Sequence, residues 1–583
     1  MCNEEAIQPD SLKRKRAFVA LAAALAFLAK LALALKTYGT NDVYTYHRFG
    51  LWSRVFGADL YNFAPDLNHP PSMLHILSGI IWLADHAPLG FAFWLRFPGI
   101  LADAGTVWLV CLILGTRLAA RPVYLAVLLL AIAPTNILVS GFHGNTDPVM
   151  IFFVLLTVWL VGYRDNAAAG GVAFGVALCI KIVPVVLVPV LFFALPSRKK
   201  RLVFFGTVAA VVLMAWAPYL YQQPAAVYRQ VFGYKSSYGL WGLSWIFRAM
   251  ANEFPASVWV SKGFMKVGTP ILIAAILALS IRMKFLKVSL YTQVGMVFFL
   301  FFTLTSGFAV QYMVWLTPWL AEAGVFPVAC FLLTGSVFLF VVYNYWNLGM
   351  PWYLAIAYPW ASHQYFQILC WVSVVVLAAS MWLRIRRDTV PELTALRRIP
   401  VVFRLAAAAL AVALILINPA IKRIRQDKLA VTPAYAEDVV LYTQADELHN
   451  MAGELYKRGR SQEADEAELQ ANHLTAQAQT IYNVLVREQP ARLQLKAPED
   501  LVDDSLAEYN RGDYAQCVFD ATESLKLRPG MPAAWNNISL CNFSLGNYDA
   551  AATAAAESLR LEPESDELRQ YLNQALAAKR QSH

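Results

Sequence analysis

Asp42, His143, Asp147 and Lys181 are the side chains best suited to acid–base or phosphate chemistry in this chain. Asp42 falls just past an apolar run, Ala17–Leu35, which the basic stretch Lys13-Arg14-Lys15-Arg16 precedes. Asp147 closes the motif His143-Gly144-Asn145-Thr146-Asp147, and Lys181 interrupts the apolar run 167–195 next to Pro184. Charge within or beside a membrane is costly to keep, so such residues point to function. Three further groups are candidates to share a face with them. These are His69 in Asn68-His69-Pro70-Pro71, the loop Lys235-Ser236-Ser237-Tyr238-Gly239-Leu240-Trp241, and Gln311-Tyr312. A carboxylate can take a proton from a hydroxyl, lysines neutralise phosphate, and aromatic faces stack on sugar rings. The set suits an anionic, partly sugar-like ligand.

What positions these residues is a set of membrane helices. Of 583 residues, 58% are hydrophobic and 15% charged, with a net charge of +9. Soluble domains carry about 25% charged residues. Apolar runs recur between 17 and 417, each of about 20 residues, long enough to cross a bilayer. The basic residues cluster in short loops and read as topology signals rather than a nucleic-acid surface. The fold class expected is all-α: a polytopic bundle of about 13 spans, then a soluble α-solenoid. Residues 1–16 are expected in the cytoplasm, 17–421 in the bundle with a large outer loop 36–91, and the chain in the plasma or inner membrane. Leu74–Ala84 reads as a helix along the interface, Lys181–Pro184 as a reversal between two short helices, and Tyr312–Leu320 and Val401–Ile417 as crossings. An odd number of spans places the tail outside, on the face of Asp42.

Polarity rises sharply after residue 422, giving a helical linker, 422–500, and a repeat region, 501–583. Gly512, Tyr514, Glu523, Ser524, Leu525, Leu527 and Pro529 recur 34 residues later as Gly546, Tyr548, Glu557, Ser558, Leu559, Leu561 and Pro563. The pattern resembles the tetratricopeptide repeat, which implies stacked helix pairs that bind a protein partner, with Gly512 and Gly546 at close helix contacts. Cys517 and Cys541 lie in this region, where pairing is open to them.

The order of Asp42, Pro70-Pro71, Arg96-Phe-Pro-Gly-Ile-Leu-Ala-Asp103, His143-Gly-Asn-Thr-Asp147 and Lys181-Ile-Val-Pro184 resembles the GT-C superfamily of membrane glycosyltransferases over about 17–385. Within it, the chain looks similar to polyprenol-dependent mannosyltransferases such as the catalytic subunit of the GPI mannosyltransferase. The resemblance implies a polyprenyl-phosphate sugar donor and a lipid, glycan or protein acceptor at the outer face. It implies Asp42 and Asp147 as catalytic acidic residues and Lys181 at the donor phosphate, with Lys235 or His143 assisting. His69, Asn145, Tyr238, Trp241, Gln311 and Tyr312 complete the expected substrate contacts. No cofactor is called for, and a divalent cation at Asp147 is the one candidate. His143 stands where the GPI enzyme has arginine, which leaves the sugar open.

Plainer roles compete at each position. Asp147 with Pro148 suits a helix start, Asp103 could pair with Arg96, and Trp241 and Trp245 could anchor at an interface. At the level of the whole chain, a carrier of lipid-linked glycans also suits a broken helix with a lysine. An oligosaccharide ligase with a repeat scaffold differs mainly in donor size.

Overall fold

The computed structural model describes residues 9–582 except 65, 119, 234–238, 251–253, 287, 348–351, 356–363, 388–432, 489–497, 528–530 and 563–564. Nearly everything described is helix, with one two-residue parallel pairing, Gly39-Thr40 against Leu354-Ala355. Six helices are long and apolar enough to cross a membrane: Arg16–Lys36, Phe91–Gly115, Arg198–Gln222, Ser257–Lys284, Phe326–Asn344 and Phe366–Arg386. Val123–Ile132 and Pro134–His143, bent by 40° at their junction, make a seventh if they act as one span. The chain is therefore a multi-pass membrane protein. The count of about 13 is not reached among the described residues, because several apolar runs form helices well short of the ~20 residues a crossing needs. These are Asp147–Gly162, Ala167–Ile180, Val183–Ala194 and Leu290–Leu304. The stretch expected to cross at Tyr312–Leu320 is instead a pair of buried 3-10 turns, Val310–Trp315 and Thr317–Glu322. A 3-10 turn rarely runs beyond a few residues, and Pro318 cannot donate to a longer ladder. The expected last span, Val401–Ile417, lies outside the described residues.

Breaks in these helices bring the polar residues inward. The helix Ala167–Ile180 stops at Lys181, whose backbone is extended, and the chain resumes as a 3-10 turn at Val183–Leu187 carrying Pro184. Pro134 starts a short helix that loosens into a π turn over Val139–His143 and ends at Gly144. Gly144 has φ +86°, and a Cβ there would lie 2.4 Å from the Val43 side chain, so only glycine fits this bend. Past the first span, Thr40 caps the helix Asn41–Phe56 by accepting from the Asp42 amide. Its own hydroxyl donates to the His143 carbonyl at 2.7 Å. That bond ties the start of the Asp42 helix to the π turn. Pro71 opens Pro71–His86, where its missing N–H costs no hydrogen bond. This helix buries Met73, Leu74, Leu77 and Ile81 and exposes Ile76 and Trp82.

Beneath the bend lie two buried polar anchors. Arg96 donates to the carbonyls of Ala34, Thr37, Gly141 and Phe142 and to the Thr37 hydroxyl. Asp103 pairs with Lys30, not with Arg96 as one reading of the sequence had it, and also accepts from Asn136 at 3.0 Å. Lys30 and Asp103 are partners because both are buried in packed helices, where an unpaired charge is strongly disfavoured.

The tail is a run of helices, most packed on the next in sequence. Pro433–Lys457 and Ser461–Glu488 form a long hairpin, followed by Pro498–Arg511, Tyr514–Leu527, Pro532–Ser544, Tyr548–Leu561 and Asp566–Ser582. The 34-residue offset survives in ring contacts: Tyr509 meets Tyr514 as Phe543 meets Tyr548. Gly512 and Gly546 do not sit at close helix contacts, since a Cβ on either would meet nothing within 4 Å. They serve turns with φ +84° and +79°, a region that side chains with a Cβ disfavour. Cys517 and Cys541 are joined, stitching Tyr514–Leu527 to Pro532–Ser544. The hairpin rests on the Asp42 helix, with Trp52 donating to the Glu447 carbonyl and Arg460 to that of Val55.

Candidate functional site

Asp42 stands at the first turn of its helix, where the unpaired amides and the helix dipole favour a negative charge. Its Oδ2 accepts from Asn145 Nδ2 at 2.6 Å and from His143 Nε2 at 3.2 Å. Tyr343 Oη lies 2.8 Å from His143 Nδ1. A carboxylate only accepts, so His143 Nε2–H is the donor in its contact with Asp42. Asn145 is oriented in turn, its Oδ1 accepting from Tyr46 Oη at 3.1 Å and from the Thr146 amide at 2.7 Å. Burial alone would raise the Asp42 carboxyl. The hydrogen bond and charge of His143, the Asn145 amide and the Lys181 charge outweigh it and hold the group below the ordinary range. The Asp42 side chain remains 30% exposed, toward a cavity.

That cavity measures about 200 Å³. Asp42, Tyr46 and Phe49 form one wall, Asp66, Asn68 and His69 a second, and Asn145 and Lys181 the back, closed by Gln311 and Tyr312. The His69 ring is driven down to about 3, by burial first and the Lys181 charge second, so it is a neutral lining group. Lys181 stands over the Tyr312 ring, 5.4 Å from its centroid, a cation–π placement.

Asp147 sits behind Lys181 rather than in the cavity. It is fully buried, with Oδ2 2.8 Å from Lys181 Nζ and Oδ1 accepting from Trp315 Nε1 at 2.6 Å. Its oxygens are both engaged, so it is positioned to hold Lys181 rather than to meet a ligand. Among the described residues, no group of three or more His, Cys, Asp or Glu side chains could hold a metal.

Of the residues singled out from sequence, Asp42, His69, Asn145, Lys181, Gln311 and Tyr312 share the cavity, and His143 backs Asp42. Trp241 is a correction. It is wholly buried, stacked on Phe308 at 3.8 Å with its N–H on the Phe302 carbonyl, and it offers no face to a ligand. Trp245 is likewise buried, not an interface anchor. Lys235 and Tyr238 lie outside the described residues. Sequence reasoning missed Tyr46, Asp66, Trp315 and Tyr343. Tyr46 was within reach, one helical turn after Asp42 on the same face. Trp315 and Tyr343 carry no local signal, since their partners are far away along the chain.

Residues 68–221 match the family described as dolichyl-phosphate-mannose-protein mannosyltransferase. The matched stretch carries His69, His143, Asn145, Asp147 and Lys181, while Asp42, Gln311 and Tyr312 fall outside it. Comparison with curated proteins and with solved structures gave no match.

Proposed function

We propose that the protein is an inverting membrane glycosyltransferase that moves a mannose-like hexose from a polyprenyl-phosphate donor to a lipid, glycan or protein acceptor. The observation that carries this reading is the pairing of an ionised carboxylate, Asp42, with an ammonium group, Lys181, on one cavity of about 200 Å³ walled by tyrosines. Such a space admits a sugar ring, which suits a single-sugar donor. Lys181 neutralises the donor phosphate. The acceptor hydroxyl attacks the anomeric carbon from the opposite side and its proton passes to Asp42. The bond from the anomeric carbon to the phosphate oxygen breaks, and the phosphate leaves with the electron pair and needs no acid. His143 and Asn145 aim the carboxylate, and Asp147 aims the lysine. The reading places Asp42 and the tail together outside the cytoplasm. The hairpin resting on the Asp42 helix and the Cys517–Cys541 bond support this. The repeat region then presents a protein partner or acceptor on the same side.

Purified protein, mixed with radiolabelled polyprenyl-phosphate hexoses and membrane extract, is expected to transfer label to an acceptor with inversion at the anomeric carbon. Movement of the lipid-linked sugar across vesicles with no new glycosidic bond would favour the carrier instead.

A further inference from the structure

We infer that the helical hairpin 433–488 is a working part of the cavity: through Arg48 it fixes the loop 66–70, and so sets how firmly that wall holds a ligand. The inference builds on the proposed transferase reading. Arg48 is on the Asp42 helix, beside Phe49, which lines the cavity. One arm of its guanidinium, Nη1, meets Glu447 of the hairpin at 3.0 Å, and the other, Nη2, pairs with Asp66 of the loop. Its central carbon lies over two rings, 5.0 Å from the Phe49 centroid and 5.7 Å from that of Trp52. Arg48 and Glu447 are about four-fifths buried, while Asp66 is half exposed at the cavity edge. A guanidinium has a rigid fork, so fixing one arm on the hairpin fixes the direction of the other toward Asp66.

Elsewhere the loop is anchored at its ends and by packing: Leu67 is buried in the core, the His69 ring lies 4.9 Å from that of Tyr46, and the Met73 amide donates to Pro70, while the Asp66 side chain is held by Arg48. Tyr61 Oη donates to the His69 carbonyl at 2.6 Å, and the Leu67 amide donates to Ala64 at 3.1 Å. The hairpin has separate attachments that do not reach the loop. Arg458 pairs with Asp59 at 2.5 Å and lies over Phe56, and Arg460 donates to Val55. Docking of the hairpin and fixing of the wall are therefore separable by substitution. Glu447 and Arg48 are positioning residues: they touch no reacting atom and act through Asp66 and the loop that carries Asn68 and His69.

The test uses the full-length protein in detergent, with hydrogen exchange of the loop amides as the first readout and donor KM and kcat as the second. Glu447→Ala should speed exchange at 66–69 by about 2- to 5-fold, the range of a partly exposed charge pair, and raise donor KM with kcat unchanged. Glu447→Gln, which keeps the shape, should show a smaller change in the same direction. Arg458→Ala should loosen the hairpin's own amides and leave 66–69 as they were. Unchanged exchange at 66–69 in Glu447→Ala, or a loop response equal to that of Arg458→Ala, would overturn the inference. If the wild type transfers no sugar, the transferase reading fails, and the exchange data still decide the coupling.

Discussion

A carboxylate becomes a useful base here because its neighbours fix its direction, not because they make it unusually basic. Asn145 and His143 both donate to Oδ2 of Asp42, and among the described residues none donates to Oδ1. Replacing Asp42 by Asn keeps the size and removes the proton acceptor. Transfer should fall by about 100- to 10,000-fold, the usual weight of general-base catalysis, with donor binding kept in an equilibrium assay. Lys181 calls for a different expectation. From sequence alone, Lys181→Met reads as a simple loss of donor affinity. Its partner Asp147 is wholly buried, so the substitution strands a carboxylate, at a typical cost of ~3–5 kcal/mol. Lys181→Met should therefore lower the unfolding temperature and expression, and Lys181→Met with Asp147→Asn should regain much of that stability without regaining donor binding. Equal stability of the single and double variants would break the assignment of Asp147 as the anchor of Lys181. Charges set in apolar surroundings announced these residues in the sequence. Lys30, inside the run Ala17–Leu35, carries the same signal, but its pairing with Asp103 and the parts played by Tyr343 and Trp315 could not be read there, because a pairing depends on which distant helices pack together.

Breaks, rather than helices, build the site. Those marked by proline and glycine were legible: the stop at Lys181 with Pro184 appears where the sequence predicts it. The two 3-10 turns at Val310–Glu322 were not, since a short apolar stretch has the same composition whether it crosses a membrane or folds back within a core. In the tail the 34-residue offset was legible, but the role of its glycines was not. Gly546 sits at φ +79° with open space around it, so Gly546→Leu should destabilise through backbone strain, by about 1–2 kcal/mol, and Gly546→Asn by less. Protease resistance of the tail in the full-length protein would show this, and an equal loss for both variants would point back to crowding. The hairpin carries a pH response as well. Asp438 is buried, its Oδ1 has no partner among the described residues, and burial lifts its pKa to about 6. In an unfolded chain an aspartate titrates near ~3.9. The folded form holds its proton more tightly, so this group favours the docked hairpin most below the unfolded value, and that contribution is lost as pH rises through about 6. Val439 and Val440, its neighbours, pack on Leu354, Tyr38 and Tyr44. Proteolysis of the hairpin should therefore be slower at acidic than at neutral pH, and Asp438→Asn should abolish the difference.

For the molecule as a whole, composition was enough to give a membrane protein with a polar tail, because burying so few charges leaves little else. Where the tail sits depends on tertiary contacts that no periodicity reports. The basic run Lys13–Arg16 before the first span favours a cytoplasmic start. From a cytoplasmic start, one crossing would bring the chain to Asp42 on the far side. The hairpin touches the helix that follows, through Glu447 on Arg48 and Trp52, and the turn after it, through Arg458 on Asp59. Whichever side holds Asp42 must hold the tail, whatever the number of spans between them. The bond between Cys517 and Cys541 adds an independent argument, since disulfides persist in oxidising compartments and rarely in the cytosol. Alkaline phosphatase fused after His583 should therefore be active, and a fluorescent protein that folds only in the cytoplasm should be dark at the same position. The tail cysteines should resist a maleimide in intact cells until a reductant is added. A bright fluorescent fusion with inactive phosphatase would put the tail in the cytoplasm. Because of the hairpin contacts, it would carry Asp42 and the cavity there too, and the donor would then have to be met on the cytoplasmic leaflet.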